Sequence, residues 1–128
     1  MPEDLSGKNS IVQFPSMERL IGNLQEHGDR AEHFLLTYEP VVQAEKETMV
    51  VSGDKELEAV FKEKEQAIAE LHARTAEAWE AKMNLVAIRN DPARSGELAG
   101  ALRGASDSFK ALQAAQQKAE ELILPGMA

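Results

Sequence analysis

Apolar residues recur at three- and four-residue steps along most of this chain, the spacing that places side chains on one face of an α-helix. Helix-breaking residues interrupt the pattern at Ser52-Gly53 and at Asn90-Asp91-Pro92. The pattern therefore predicts three helices, at about 16–51, 54–90 and 92–124. It also predicts the fold class: all-α, a long antiparallel helical hairpin with a third C-terminal helix packed along it, forming an elongated three-helix bundle.

The junction between the first two helices is the most informative segment of the chain. Ser52-Gly53 interrupts the helical pattern, and Gly53 suits the left-handed conformation just past a helix end. Asp54 suits the N-cap of the next helix, because its carboxylate can accept hydrogen bonds from free backbone N–H groups. Helices joined this tightly must fold back on each other. The second helix alone spans on the order of 50 Å, so we expect an elongated molecule.

Each helix carries one apolar stripe that we expect to face the core. Ser16 is the predicted N-cap of the first helix. The first stripe contains Met17, Leu20, Ile21, Leu24, Ala31, Phe34, Leu35, Tyr38, Val41, Val42 and Met49. The second contains Leu57, Val60, Phe61, Ile68, Leu71, Thr75, Trp79, Met83 and Val86. For Trp79, the only tryptophan, this position favours core packing over a role as a partner-binding anchor.

Prolines mark the other irregularities. Pro40 deletes one backbone hydrogen bond, which predicts a kink or a break at about Tyr38 to Pro40. The stripe continues in phase beyond Pro40, which favours the kink. Asp91-Pro92 separates the second and third helices, and Leu124-Pro125-Gly126 predicts the C-terminal end of the third.

Three glycines weaken the first half of the third helix. Gly96, Gly100 and Gly104 lie four residues apart, and each costs about 1 kcal/mol relative to alanine. The spacing has two interpretations. The glycines form a smooth stripe that lets another helix approach closely, or the segment stays mobile until a partner arrives.

The length of 128 residues predicts a single helical domain over 16–124. Residues 1–15 are expected to form a mobile N-terminal arm, and residues 125–128 a C-terminal tail. Ile11, Val12 and Phe14 are apolar enough to dock on a neighbouring helix or on a partner.

Net charge and composition limit the classes of partner that we expect for this chain. The chain carries a net charge of −8, so it lacks the excess of positive charge that binding to nucleic acids and anionic membranes needs. No apolar run approaches the roughly 20 residues that span a bilayer, and the N-terminus has no signal-peptide pattern. The chain has no cysteine. We expect a soluble cytoplasmic protein that binds no nucleic acid and inserts into no membrane.

Candidate chemistry is sparse. A carboxylate-bridged metal site in a bundle needs Glu-x-x-His pairs, and His27, His33 and His72 do not follow a glutamate by three residues. His27 is interpreted as a partly buried seam residue rather than a pH switch or ligand. No nucleophile elbow or phosphate-binding glycine loop is present. We expect no enzyme activity, no metal and no cofactor.

The segment KETMVVSGDKELEAVFKEKEQAIAELHA resembles the central signature of FlgN-type flagellar export chaperones. In that family a long helix ends at a turn of a small residue followed by Gly-Asp. The next helix carries apolar residues at every third or fourth position and a Lys-Glu pair. The matching elements here are Ser52-Gly53-Asp54, Leu57, Val60, Phe61, Lys64-Glu65, Ile68 and Leu71.

The resemblance implies a cytosolic chaperone that holds hook–filament junction proteins and delivers them to the export apparatus. It further implies that the C-terminal region binds the amphipathic C-terminal helix of the cargo. The partner-binding residues would be Phe109, Leu112, Ala115, Gln116, Ala119, Leu122 and Ile123. A groove that accepts an amphipathic helix is a common recognition mode.

Two alternatives stay open. The first is a structural coiled-coil adaptor or scaffold protein of a secretion apparatus, for which a homodimer is an option. The second is a small metal- or ligand-binding bundle enzyme.

Overall fold

The computed structural model describes the backbone from Leu5 to Met127, and the side chains from residue 17 to 125 except those at positions 50 and 52. Its three α-helices are α1 (Leu5–Ser52), α2 (Lys55–Arg89) and α3 (Leu98–Ile123). Short 3₁₀ helices at Pro92–Glu97 and Leu124–Met127 precede and follow α3. No strand occurs in this described part of the chain, so the all-α three-helix prediction is confirmed.

The turn between α1 and α2 has the predicted geometry. Gly53 has a φ of 68°, and its N–H donates to the carbonyl of Met49 at 3.0 Å. The Asp54 carboxylate accepts hydrogen bonds from the backbone N–H groups of Glu56 at 2.9 Å and Leu57 at 3.4 Å. These contacts end one helix and begin the next within two residues, so the chain reverses direction there.

Helix α1 departs from its predicted bounds. It begins at Leu5 rather than at Ser16 and therefore includes most of the segment predicted as an arm. It also continues through Pro40, which excludes a break there, and the kink that the apolar stripe favours stays a prediction. A proline removes one backbone hydrogen bond, and the remaining bonds of a long helix carry the chain across it. Residues 1–4 lie outside the described part, and the arm's mobility stays a prediction.

The third segment also departs from its prediction of one helix over 92–124. Residues Pro92–Glu97 are 3₁₀, and the α-helix begins only at Leu98. Asp91 caps this turn, because its carboxylate accepts a hydrogen bond from the N–H of Ala93 at 3.1 Å. A tight 3₁₀ turn is common where a capped proline segment leads into an α-helix.

One hydrophobic core holds the three helices together, and α3 lies against both members of the hairpin. The largest fully buried side chains come from every helix. They are Met17, Leu24, Val42, Leu71, Leu85, Leu112 and Ile123. Burying one such side chain stabilises the fold by roughly 1.5–3 kcal/mol before entropic costs.

Three residues of the predicted α2 stripe are exposed instead. Met83 is 69% exposed, because the core face of α2 at this level runs through Leu85 and Ile88. Leu57 and Val60 are 51% and 48% exposed. They lie near the hairpin turn, beyond the reach of α3.

Candidate binding surfaces on the helical bundle

The predicted partner-binding stripe is the inner face of α3. Leu112, Ala119 and Ile123 are completely buried, and Ala115 is nearly so. Phe109, Gln116 and Leu122 are half-buried at the edges of the same face. The structure therefore brings the stripe together, but packs it against the hairpin of its own chain. A partner reaches it only if α3 moves.

The edge of this face is held by an aromatic contact. The rings of His27 on α1 and Phe109 on α3 meet edge to face, with centroids 4.8 Å apart and an interplanar angle of 89°. The His27 Nδ1–H donates to the carbonyl of Asn23 at 3.1 Å. Because a carbonyl only accepts, this contact fixes the ring tautomer and its orientation. His27 is half-buried, which confirms its interpretation as a seam residue.

The start of α3 continues the 3₁₀ turn that Asp91 caps, and has no side-chain cap of its own. Glu97 occupies the N-cap position without a side-chain capping bond. Its carboxylate instead accepts two hydrogen bonds from Arg94, at 2.9 and 3.0 Å. The hydrogen bond from Arg94 lowers the pKa of Glu97, and the pair's own charges act in the same direction. Arg94 also donates to Asn84 of α2 at 3.3 Å, which links this turn to the hairpin.

The three glycines of this segment face open space. A Cβ added at Gly96, Gly100 or Gly104 would meet no atom within 4 Å. Gly100 and Gly104 line an open groove of about 770 Å³ between α2 and α3, whose α2 side carries Glu77 and Glu80. The glycines therefore do not serve close packing against a helix of this chain. Of the two interpretations, segment mobility stays a prediction.

A ladder of polar contacts ties α1 to α2 along the hairpin. A turn at Gly53 places residues opposite each other when they lie at similar distances before and after it. Six links between described residues follow this register, since the two residue numbers of each pair add up to between 107 and 111. The pairs are Glu18–Arg89, Gln25–Lys82, Glu32–Trp79, Glu39–His72, Glu45–Lys64 and Lys46–Glu65. Exposed pairs of this kind add little stability each, so their main effect is to specify register.

The sequence contains a signal for this ladder that the stripe pattern overlooks. Glu18, Gln25, Glu32 and Glu39 follow one another at intervals of seven residues. Seven-residue spacing of polar residues beside an apolar stripe is the arrangement that interhelical pairs use in coiled coils.

Trp79 lies at this seam rather than in the core. Its Nε1–H donates to Glu32 at 2.7 Å, and Lys82 lies over the indole at 5.6 Å from the ring centroid. The ring packs across Gly28 of α1, where an added Cβ would lie 2.8 Å from Cη2 and Cζ2. Trp79 is half-buried, so it holds the hairpin and presents no free anchor.

A second apolar surface occupies the end of the hairpin near Gly53. It forms a groove of about 280 Å³ between α1 and α2, with Leu57 and Val60 half-exposed and Phe61 buried at its floor. Met49 forms part of its α1 wall. We call it the tip groove. Val51, beside the turn, is 88% exposed.

Metal-binding and membrane features are lacking in the part of the chain that the structure covers. No cluster of three His, Cys, Asp or Glu side chains there could hold a metal ion. Nor is any of its helices both long and apolar enough to cross a membrane. No protein-family model, curated protein or solved structure matches the chain.

Proposed function

We propose that this chain is a cytoplasmic export chaperone of the FlgN type. It would bind the C-terminal amphipathic helix of hook–filament junction proteins, keep them soluble and deliver them to the export apparatus. In this proposal α3 exchanges its contacts with the hairpin for contacts with the cargo helix. No catalytic step, metal or cofactor takes part.

The observation that supports this proposal best is the difference between the contacts that hold α1 to α2 and those that hold α3 to the hairpin. The α1–α2 pair has a capped two-residue turn and a polar ladder along its length. Helix α3 lacks a side-chain cap and has glycines facing an open groove. Alanines also make up part of its buried face, including Ala105, Ala115 and Ala119. Small side chains lose less apolar burial on separation than large ones, which lowers the cost of detaching α3.

The charge of the molecule fits the same proposal. A net charge of −8 keeps a complex with an aggregation-prone cargo in solution through mutual repulsion. The buried leucine and isoleucine positions of α3 would meet the apolar face of the cargo helix at helical spacing.

A structural adaptor or scaffold protein of a secretion apparatus is the second candidate. The exposed Leu57, Val60 and Val51 at the end of the hairpin favour it, because clustered exposed apolar residues commonly mark interaction sites. An adaptor would use this end of the rod and keep α3 docked.

The test mixes the full chain with a peptide covering the C-terminal helix of a hook–filament junction protein. A chaperone gives a 1:1 or 2:1 complex by calorimetry, with a gain in helicity by circular dichroism. Leu112 and Ile123 are completely buried, so glutamate there would unfold α3. The informative double variant is Phe109→Glu/Leu122→Glu, at the half-buried edges of the stripe. We expect it to lose at least about tenfold in affinity.

Leu36→Glu provides the matched control. Leu36 is 78% exposed on α1, so this variant should bind as the wild type does. Thermal melting of all variants confirms that they remain folded. No binding at about 1 mM peptide would refute the chaperone proposal, since that corresponds to an affinity weaker than about −4 kcal/mol.

A further inference from the structure

The tip groove lies on the same side of the hairpin as α3. Two residues seven positions apart lie on nearly the same face of a helix, rotated by only about 20° about its axis. On α2, Leu57 and Lys64 are in this register with Leu71 and Ala78 of the core. Val60 is in register with Ala67, which lines the groove between α2 and α3.

The α1 wall of the tip groove continues the same face. Glu45 is in seven-residue register with Tyr38, and Tyr38 lines a groove beside the C-terminal end of α3 together with Leu124. Helix α3 ends at Ile123, before it reaches the tip. The tip groove is therefore the continuation of the channel that α3 fills further along the hairpin.

The tip groove is lined by one ion pair, Glu45–Lys64 at 3.2 Å, and further carboxylates lie along the outer edge of α2. Glu56 and Glu63 are in seven-residue register with Glu70 and Glu77, which line the outer edge of α2 against α3. Residues 45–65 contain seven acidic and four basic side chains, a net charge of −3. The tip thus combines an apolar floor and one ion pair with an excess of carboxylates over lysines in the surrounding residues.

We propose that the tip groove binds an amphipathic helix of another protein, with an apolar face flanked by lysine or arginine. This helix would lie in line with α3, with its apolar residues against Met49, Leu57, Val60 and Phe61. Its cations would face Glu56 and Glu63. The site is separate from the α3 stripe and does not depend on the proposed chaperone function.

Charge and area favour such a helix over a second copy of this chain. Two copies would bring together tips of the same net charge. Stable dimers bury about 800 Å² on each partner, which far exceeds a groove built from a few side chains. A single helix needs only a few anchors at three- and four-residue spacing.

The test titrates the full chain with a designed helical peptide of leucine and lysine, about 15 residues long. A peptide of the same pattern with glutamate in place of lysine tests whether binding requires positive charge on the peptide. We expect the lysine peptide to bind at least about tenfold more tightly, and to weaken as salt rises. NMR amide shifts should change at residues 45–64 and stay unchanged over 109–123.

The double variant Leu57→Gln/Val60→Gln should lose at least about tenfold in affinity for the lysine peptide. Its matched control is Leu36→Gln/Met83→Gln, which removes two exposed apolar side chains elsewhere and should bind as the wild type does. Equal loss in the control, equal binding by the tip variant, or equal affinity for the two peptides would each overturn the proposal. So would a dimer of the free protein that Leu57→Gln/Val60→Gln dissociates, because the occupant would then be a second copy.

Discussion

At the scale of single residues, the contact between Gly28 and Trp79 sets how closely α1 and α2 approach. The indole occupies the space that a side chain at position 28 would need. The hydrogen bond from Trp79 to Glu32 keeps the ring in that place. Glycine is thus required here by packing, although its conformation is ordinary helix.

Gly28→Ala should therefore lower the free energy of unfolding, by up to about 2 kcal/mol. The added methyl would lie 2.8 Å from the indole, and overpacking of this kind costs about 1–3 kcal/mol, against a gain of about 1 kcal/mol from alanine's helix propensity. Urea unfolding followed by Trp79 fluorescence measures the change.

Gly22→Ala is the control, because Gly22 lies on the same helix with no atom within 4 Å of an added Cβ. It should stabilise by up to about 1 kcal/mol. An equal increase in the free energy of unfolding in both alanine variants would contradict the packing role of Gly28.

The sequence identifies Trp79 but does not reveal this contact. Gly28 resembles any other helix glycine until the antiparallel register is known, and that register follows from the position of Gly53. Once the turn is placed, residues 28 and 79 fall opposite each other. The missing information was the pairing between helices, which periodicity within one helix does not contain.

At the scale of elements, the third helix combines a well-packed second half with a weak first half. Its completely buried residues Leu112, Ala119 and Ile123 belong to the second half. The first half has glycines at the open groove and no side-chain cap. Within α3, local opening is expected to start where buried apolar contacts are fewest, which is the segment from Leu98 to about Ser108.

Gly100→Ala/Gly104→Ala should stabilise this segment by about 2 kcal/mol, because each replacement adds about 1 kcal/mol of helix propensity and meets no neighbour. Hydrogen exchange across residues 98–108 should slow accordingly, with the rest of the chain little changed. Gly53→Ala serves as a contrast. At a φ of 68° it should destabilise by about 1–2 kcal/mol. Unchanged exchange in the double variant would show that the glycines do not limit the order of α3.

Element boundaries divide into those that the sequence specifies and those that it does not. The end of α1 and the start of α2 follow from Gly53 and Asp54, whose local chemistry decides them. The start of α1 differs from the prediction because Ser16 is a favourable N-cap residue, although the helix continues back to Leu5. The exposure of Leu57 and Val60 depends on where α3 ends relative to the hairpin, and helix length alone does not fix that.

At the scale of the whole molecule, the bundle is a rod with unequal helices. Helix α1 contains 48 residues, α2 35 and α3 26. The shorter α3 leaves the hairpin end near Gly53 as a two-helix segment. The three-helix part carries the buried stripe that the family resemblance predicts as a binding site, and the two-helix part carries the tip groove. The buried stripe is therefore accessible only if α3 moves, whereas the tip groove is accessible in the structure as it stands.

This shape makes a prediction that separates the rod from a collapsed bundle. A continuous α1 of 48 residues is about 72 Å long, and a rod of that length has a radius of gyration of about 20 Å. A compact domain of 128 residues would have about 14 Å. Small-angle X-ray scattering, with the mass fixed by light scattering, distinguishes the two. A monomer near 14 Å would mean that α1 folds back at Pro40 or near its start, and the channel shared by α3 and the tip groove would then be interrupted.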